Sequence, residues 1–217
     1  MCLEHPDTVN MTGMYTTCMS GIIEILGWDM LLLAAGVDSH EFGAFINRYV
    51  TWNLQYFEAL AKCKSDVIMV HDDIVWGSGA FLSPDFYRTY IFPNHKKLLA
   101  PLLDSGKKVL FTSDGNFTQF IDDITDLGIH GFVMEPCTDM SYICEKYGKS
   151  HVIVGNADTH ALLYNDKEYI ENEVKRCIAL GRDCPGYFLA VGNHIPPNTP
   201  VDACLWYQEF YEKYSRR

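Results

Sequence analysis

Ionisable and amide side chains recur along the chain, each group closing a short apolar run: His71, Asp72 and Asp73; Asp114 and Asn116 behind Thr112-Ser113; Glu135; Asn156 and Asp158; Asn193 and His194. Carboxylates brought to one mouth raise one another's pKa, which yields a general acid near neutral pH. The same groups, with His194 or His71, could instead hold a divalent metal. Asp73, Asp114 and His194 are the expected acid-base or ligand groups. His71, Asp72, Asn116, Glu135, Asn156, Asp158 and Asn193 are expected to bind substrate and shape its pocket. A structural explanation competes, because Asp and Asn at such positions also cap helices and start turns. It accounts less well for the series, since Glu135 precedes Pro136 and histidine is a poor cap. His5, His40, His95, His130, His151 and His160 are read as surface or cap residues without a role.

The elements that must carry these groups are the apolar runs 9–17, 66–73, 108–116, 131–136, 151–158 and 187–194. Their near-continuous hydrophobicity is what a parallel sheet covered on both faces requires. Helical patterns lie between them. Asp38 with Glu41, Ser83-Pro84, Asn165 with Glu168, and Thr199-Pro200 with Asp202 supply helix starts. Strand then helix, six times, predicts an α/β fold, either a barrel or an open doubly wound sheet. Neither GxGxxG nor GxxxxGK[ST] occurs, and Gly77-Ser78-Gly79 reads as a flexible loop rather than a phosphate cradle. The barrel is favoured. Residues 1–217 read as one domain, short for a complete eight-unit barrel of about 250 residues.

Lys and Arg number 17 against 28 Asp and Glu, a net charge of -11, which disfavours nucleic acid and anionic membranes as partners. The N-terminal residues lack a signal-peptide pattern and no uninterrupted apolar run suggests a span, so a cytoplasmic protein is expected. Eight scattered cysteines without a CxxC pair read as reduced, mostly buried thiols. The six arginines all fall in helical segments, their ends or the C-terminal tail, and no lysine sits at a strand's carboxyl end. A polyanion would meet acids there without cations to neutralise it, so a neutral or cationic small molecule suits the site better.

The segment HDDIVWGSGAFLSPDFYRTYIFPNHKKLL (71–99) resembles the uroporphyrinogen-decarboxylase family, in which a strand ending in acids leads to a loop, a Ser-Pro helix start and an aromatic-rich helix. TSDGNFTQFIDDITDLGIHGFVMEP (112–136), GNADTHALL (155–163) and GNHIPPNTPVDA (192–203) are similar to its later strand ends. The resemblance covers essentially the whole chain and implies the C-terminal two-thirds of a (β/α)8 TIM-type barrel. The family includes the haem-pathway decarboxylase of porphyrinogen acetates and methyltransferases linked to thiols and corrinoid proteins, often using zinc. The arginine-rich motif of decarboxylase-like members does not occur. Where methyltransferase relatives carry His-x-Cys, this chain has Thr112-Ser113-Asp114, and Asn193 beside His194 replaces their third ligand, so the thiolate zinc site is lost.

The expected function is methyl transfer from a small methylated substrate toward a thiol or a corrinoid, the latter a partner-borne acceptor. Tetrapyrrole decarboxylation is one alternative. A non-catalytic truncated subunit or gene fragment is the other, with two open edges that a subunit completing the barrel would cover.

Overall fold

The computed structural model describes residues 7–216, so Cys2, His5 and Arg217 lie outside the described residues. The chain divides into two compact units: Met1–Ser113 with Phe117–His130, and Asp114–Asn116 with Gly131–Arg217. The first unit runs β1 (Met11–Met14), α1 (Met19–Val37), α2 (Ser39–Ala61), β2 (Val67–His71), a hairpin of β3 (Val75–Trp76) and β4 (Gly79–Ala80), and α3 (Pro84–Phe86). A π-helical segment Tyr87–Ile91, α4 (Phe92–Asp104), β5 (Lys108–Ser113), a 3-10 turn Thr118–Phe120 and α5 (Ile121–Thr125) follow. The second unit continues with β6 (Gly131–Met134), α6 (Met140–Tyr147), β7 (Val152–Ala157), α7 (Thr159–Leu163), α8 (Lys167–Gly181), β8 (Tyr187–Val191) and α9 (Val201–Tyr214).

All six apolar runs form strands. In the first unit β1, β2 and β5 pair in parallel, with Met11 opposite Val67 and Val67 opposite Lys108. In the second, β6, β7 and β8 do the same, with Gly131 opposite Val152 and Ile153 opposite Tyr187. The architecture is α/β of the (β/α)8 TIM-barrel type, with six of its eight strand-helix repeats. The second unit's helices α7, α8 and α9 pack Leu162, Ile170, Val174, Ala203 and Phe210 into one apolar cluster.

Helix starts show where local reading held. Asp38 caps α2 by accepting from the His40 and Glu41 amides, and Ser83 caps α3 through the Phe86 amide. The start of α8 is one residue later than expected: Asp166 accepts from Glu168 and Tyr169, while Asn165 takes a positive φ of 52°. At α9, Pro200 occupies the cap position and no side chain caps the helix. Gly77-Ser78 is the tight turn of the β3–β4 hairpin rather than a loose loop, and Gly79 follows with a φ of 114°.

The helix α1 was not expected. It is apolar almost all round, which erases the periodic signal of an amphipathic helix. By length and composition alone it could cross a membrane, and Gly27, at φ 71°, interrupts it with a kink. Its start is set by Asp72. This carboxylate is fully buried, and its oxygens accept from the Met19 amide at 3.0 Å, the Ser20 amide at 2.7 Å and His95 Nε2 at 2.6 Å. Burial works against the charge, yet the bonds from His95, Ser20 and Met19 hold the Asp72 carboxyl below the usual carboxylate range. Asp72 is therefore ionised, and a carboxylate that only accepts requires His95 to donate from Nε2. His95 is thus a buried structural partner rather than a surface or cap residue.

Removing the buried carboxylate leaves His95 and the Met19 and Ser20 amides without their charged acceptor, at about 3 kcal/mol. Asp72→Asn should lower the unfolding free energy obtained from urea titration by about that amount, with a lower midpoint, and an unchanged midpoint would remove this role. Because Asp72 has a depressed folded pKa, its contribution is present above its ordinary range near ~4 and is lost as pH falls through the lowered value.

Candidate functional site

Each unit presents its own set of strand-end groups. In the first, β2 ends in His71, whose Nε2 lies 2.7 Å from Asp73 Oδ1, and the Tyr15 ring meets the imidazole edge-on with centroids 4.3 Å apart. Both side chains are partly exposed. Asp72, between them, points the other way into the core. The turn that precedes α1 and the first turn of the helix are tied to this strand end: Thr17 Oγ1 donates to the His71 carbonyl, and Ser20 Oγ accepts from the Asp73 amide. Cys18, Asp72 and His95 bring sulfur, oxygen and nitrogen within 4.8 Å of one another. They do not fit a metal. The carboxylate already accepts three hydrogen bonds, and burial followed by the charge of Asp72 pushes the Cys18 thiol well above its ordinary value, so it stays protonated.

In the second unit Glu135 is the centre. The peptide after Asp114 turns at Gly115, with a φ of 89° that favours glycine, and its amide donates to Glu135 Oε2 at 2.6 Å. Asn193 Nδ2 donates to Glu135 Oε1 at 2.6 Å. A carboxylate can only accept, so the Asn193 amide is oriented with Oδ1 away from it. That Oδ1 accepts from the His194 amide at 2.7 Å and meets His194 Nδ1 at 3.0 Å. The neutral His194 ring must then carry its proton on Nδ1, which leaves Nε2 as the unprotonated ring nitrogen of an exposed side chain. Hydrogen bonds in such a chain polarise one another.

Other expected residues have different duties. Asn156 is buried; its Nδ2 reaches the Glu135 and Thr138 carbonyls, and its Oδ1 accepts from Arg176 at 3.1 Å. Arg176 also binds Glu173 through Nε and a terminal nitrogen, while Glu173 accepts from the Asp158 amide. Asp158 caps α7 through the His160 amide and holds the His160 ring at 2.8 Å, so for this residue the structural explanation applies. Asp114 and Asn116 flank the Gly115 turn and are partly exposed. Cys137, read from the sequence as one of the scattered thiols, lies with its Sγ 3.9 Å from Glu135 Oε2. Burial, then the charge of Glu135, raises its pKa, so the thiol is not a ready zinc ligand. Its spacing two residues beyond Glu135 was the available signal.

The relay makes a spectroscopic prediction. Long-range proton-nitrogen correlation of neutral His194 should report the Nδ1-protonated tautomer, and Asn193→Ala should remove that preference. An identical tautomer in both proteins would show that Asn193 does not set it.

Residues 9–214 match the family model described as "Uroporphyrinogen decarboxylase (URO-D)". Among curated proteins, the uroporphyrinogen decarboxylase of Pelobacter propionicus is 23% identical over 175 residues, covering 81% of this chain and 50% of the relative. That of Syntrophotalea carbinolica is 25% identical over 161 residues, covering 74% and 45%. The chain spans about half the length of these relatives. Among solved structures, a methyltransferase from Methanosarcina mazei superposes with a TM-score of 0.76 at 19% identity, covering 97% of this chain and 60% of that one, a likeness of fold. With a match that runs through nearly every strand-helix repeat, the chain belongs to the uroporphyrinogen decarboxylase (URO-D) family.

Proposed function

We propose that the chain acts in methyl transfer from a small methylated substrate toward a corrinoid or thiol acceptor. The observation that carries this reading is the charge at the second unit's strand ends. Asp114, Glu135 and Asp158 supply carboxylates and His194 an imidazole, while Arg176, whose guanidinium reaches Asn156, is already engaged by Glu173. A substrate with several carboxylates would need guanidinium or ammonium groups to neutralise it. A neutral or cationic methyl donor does not. The fold neighbour named as a methyltransferase agrees with this reading.

In such a reaction the bond between the methyl carbon and its heteroatom breaks, and the heteroatom leaves with an electron pair. A corrinoid, borne by a partner protein, would supply the nucleophile that takes the methyl group. The chain's own contribution is proton delivery and orientation. His194, held by Asn193 through Nδ1, gives the proton from Nε2 when the ring is charged, and Asp114, in the same unit, is the carboxylic group proposed to share that acid-base work, with Asp73 assigned an acid-base role at the first unit's own strand ends. Glu135 acts by holding Asn193. His71 and Asn116 are assigned to substrate contact in the same proposal.

The names of the curated relatives favour a second reading, decarboxylation of a tetrapyrrole acetate. One experiment separates the two. The purified chain is offered methylated amines, thiols and ethers with a cobalt(I) corrinoid protein, and in parallel a porphyrinogen. The methyl-transfer reading expects methylcorrinoid to accumulate, with His194→Ala and Asp114→Asn each reducing the rate by about 10²-fold or more. Full activity in both variants, or carbon dioxide release from the porphyrinogen alone, would reject it.

A further inference from the structure

Two cysteines 40 positions apart meet in the second unit. Cys144 is near the end of α6, and Cys184 is in the turn between α8 and β8. Both are thiols. Cys184 Sγ lies 3.9 Å from the Cys144 carbonyl oxygen, and the two thiols are hydrogen-bonded to each other. Gly148, where α6 ends, makes the approach possible. A Cβ at that position would collide with both Cys184 Sγ and the Cys144 carbonyl, so a side chain there would push the second sulfur away from the first.

Backbone bonds hold both carriers in place. The Cys144 carbonyl accepts from the Gly148 amide at 3.1 Å, the Cys184 amide donates to the Gly181 carbonyl at 2.9 Å, and the Cys184 carbonyl accepts from the Tyr187 amide at 3.2 Å. Each cysteine is in the segment that leads into a strand of one parallel pair, β7 from Val152 and β8 from Tyr187. The Ile153 amide joins those two entries by donating to the Gly186 carbonyl at 3.0 Å. A covalent link between the sulfurs would therefore tie the starts of β7 and β8 together, at the opposite end of these strands from Asn156 and Asn193.

Exposure assigns an order to the two thiols. Cys184 is 3% exposed and Cys144 is half-buried, so a solute reaches Cys144 first. Burial, then the charge of Cys184, pushes the Cys144 thiol up to about 12, and Asp139 adds a further negative charge. Its thiolate is scarce at neutral pH, and oxidation there is slow. That scarcity separates the pair from a catalytic dithiol, whose attacking thiol has a pKa near ambient pH.

We infer that Cys144 and Cys184 are a redox modification site, at which a hydroperoxide turns the facing thiols into a disulfide that latches α6 to the turn between α8 and β8. The Cys144 thiolate attacks a peroxide oxygen, the O–O bond breaks, and hydroxide leaves a sulfenic acid on Cys144. The Cys184 sulfur then attacks the Cys144 sulfur, its proton goes to the departing hydroxyl, and water leaves. With hydrogen peroxide, two thiols and one peroxide give one disulfide and two waters; sulfur is oxidised and the peroxide reduced. A small dithiol reverses the link by exchange.

The test exposes the purified chain to hydrogen peroxide. Intact mass spectrometry should show the loss of two hydrogens, and fragment sequencing should place the link between Cys144 and Cys184. The rate should rise about tenfold per pH unit from about pH 7 to 9, as the thiolate fraction grows. The oxidised chain should unfold at a higher urea concentration than the reduced one, and dithiothreitol should restore the lower midpoint. Cys137→Ser should keep the link, whereas Cys144→Ser and Cys184→Ser should each lose it. Fragment sequencing of the unaltered chain decides the matter even where a serine variant misfolds. Oxygen added to Cys144 without a link, a link to another cysteine instead, a rate flat across that pH range, or equal midpoints for the two redox forms would overturn the inference.

Discussion

The bond set around Asp72 governs the first unit. A carboxylate with no solvent access is tolerated only when donors replace its lost hydration, and here two helix-start amides and one imidazole do so. The helix start itself gains, because amides without intrahelical partners and the positive end of the helix dipole meet a negative charge. The position of α1 follows from this arrangement. Thr17 is then close enough to bond the His71 carbonyl, and Asn53, reaching from α2, donates to the Thr16 and Thr17 carbonyls. Gly21 completes the fit, since any Cβ there would collide with the Tyr49 hydroxyl. His71 and Asp73 are presented at the strand end by a frame whose every link is a buried or half-buried polar bond.

Glu135 solves the same problem in the second unit with a different outcome. It also accepts from a backbone amide and a side-chain donor, but it is only partly buried, and its donor Asn193 passes the orientation on to an exposed histidine. A fully enclosed carboxylate of the Asp72 kind has nothing left to offer a ligand. The half-enclosed Glu135 fixes a neighbour that still does. The contrast separates a carboxylate enclosed by the fold from one that orients an exposed side chain, although both follow parallel strands.

This contrast explains what could be read from sequence. All six strands were legible because parallel strands buried on both faces leave unbroken apolar runs. Asp72 and Asp73 were not separable, since adjacent residues at a strand end point to opposite faces and only the surrounding packing decides which face is core. His95 was unreadable for a related reason: its partner is on another element, and nothing in the local pattern of α4 announces it. Asn165 and Asp166 are both good caps, so chemistry alone could not place the start of α8. The apolar α1 concealed itself by lacking a polar face. Among the site residues, Asp114, Glu135, Asn193 and His194 were legible as polar ends of apolar runs, whereas the duties of Asn156 and Asp158 depended on helix-borne partners.

The placement of arginines carries the remaining constraint. Arg88 pairs with Asp123, Arg176 with Glu173 and Asn156, and Arg182 reaches the Tyr214 carbonyl at the end of α9. These guanidinium groups join helix to helix or helix to strand end, and each has acceptors from the chain itself. The bonds of Arg176 to Asn156 and Glu173 are the most telling, because the first brings a cation to a strand end and the second neutralises it there. Released from Glu173, that cation could serve an anionic ligand. Held by it, the cation instead stabilises Asn156, whose amide bridges to the Glu135 and Thr138 carbonyls. The acidic character of the second unit's strand ends thus follows from how the arginines are engaged as much as from the surplus of carboxylates.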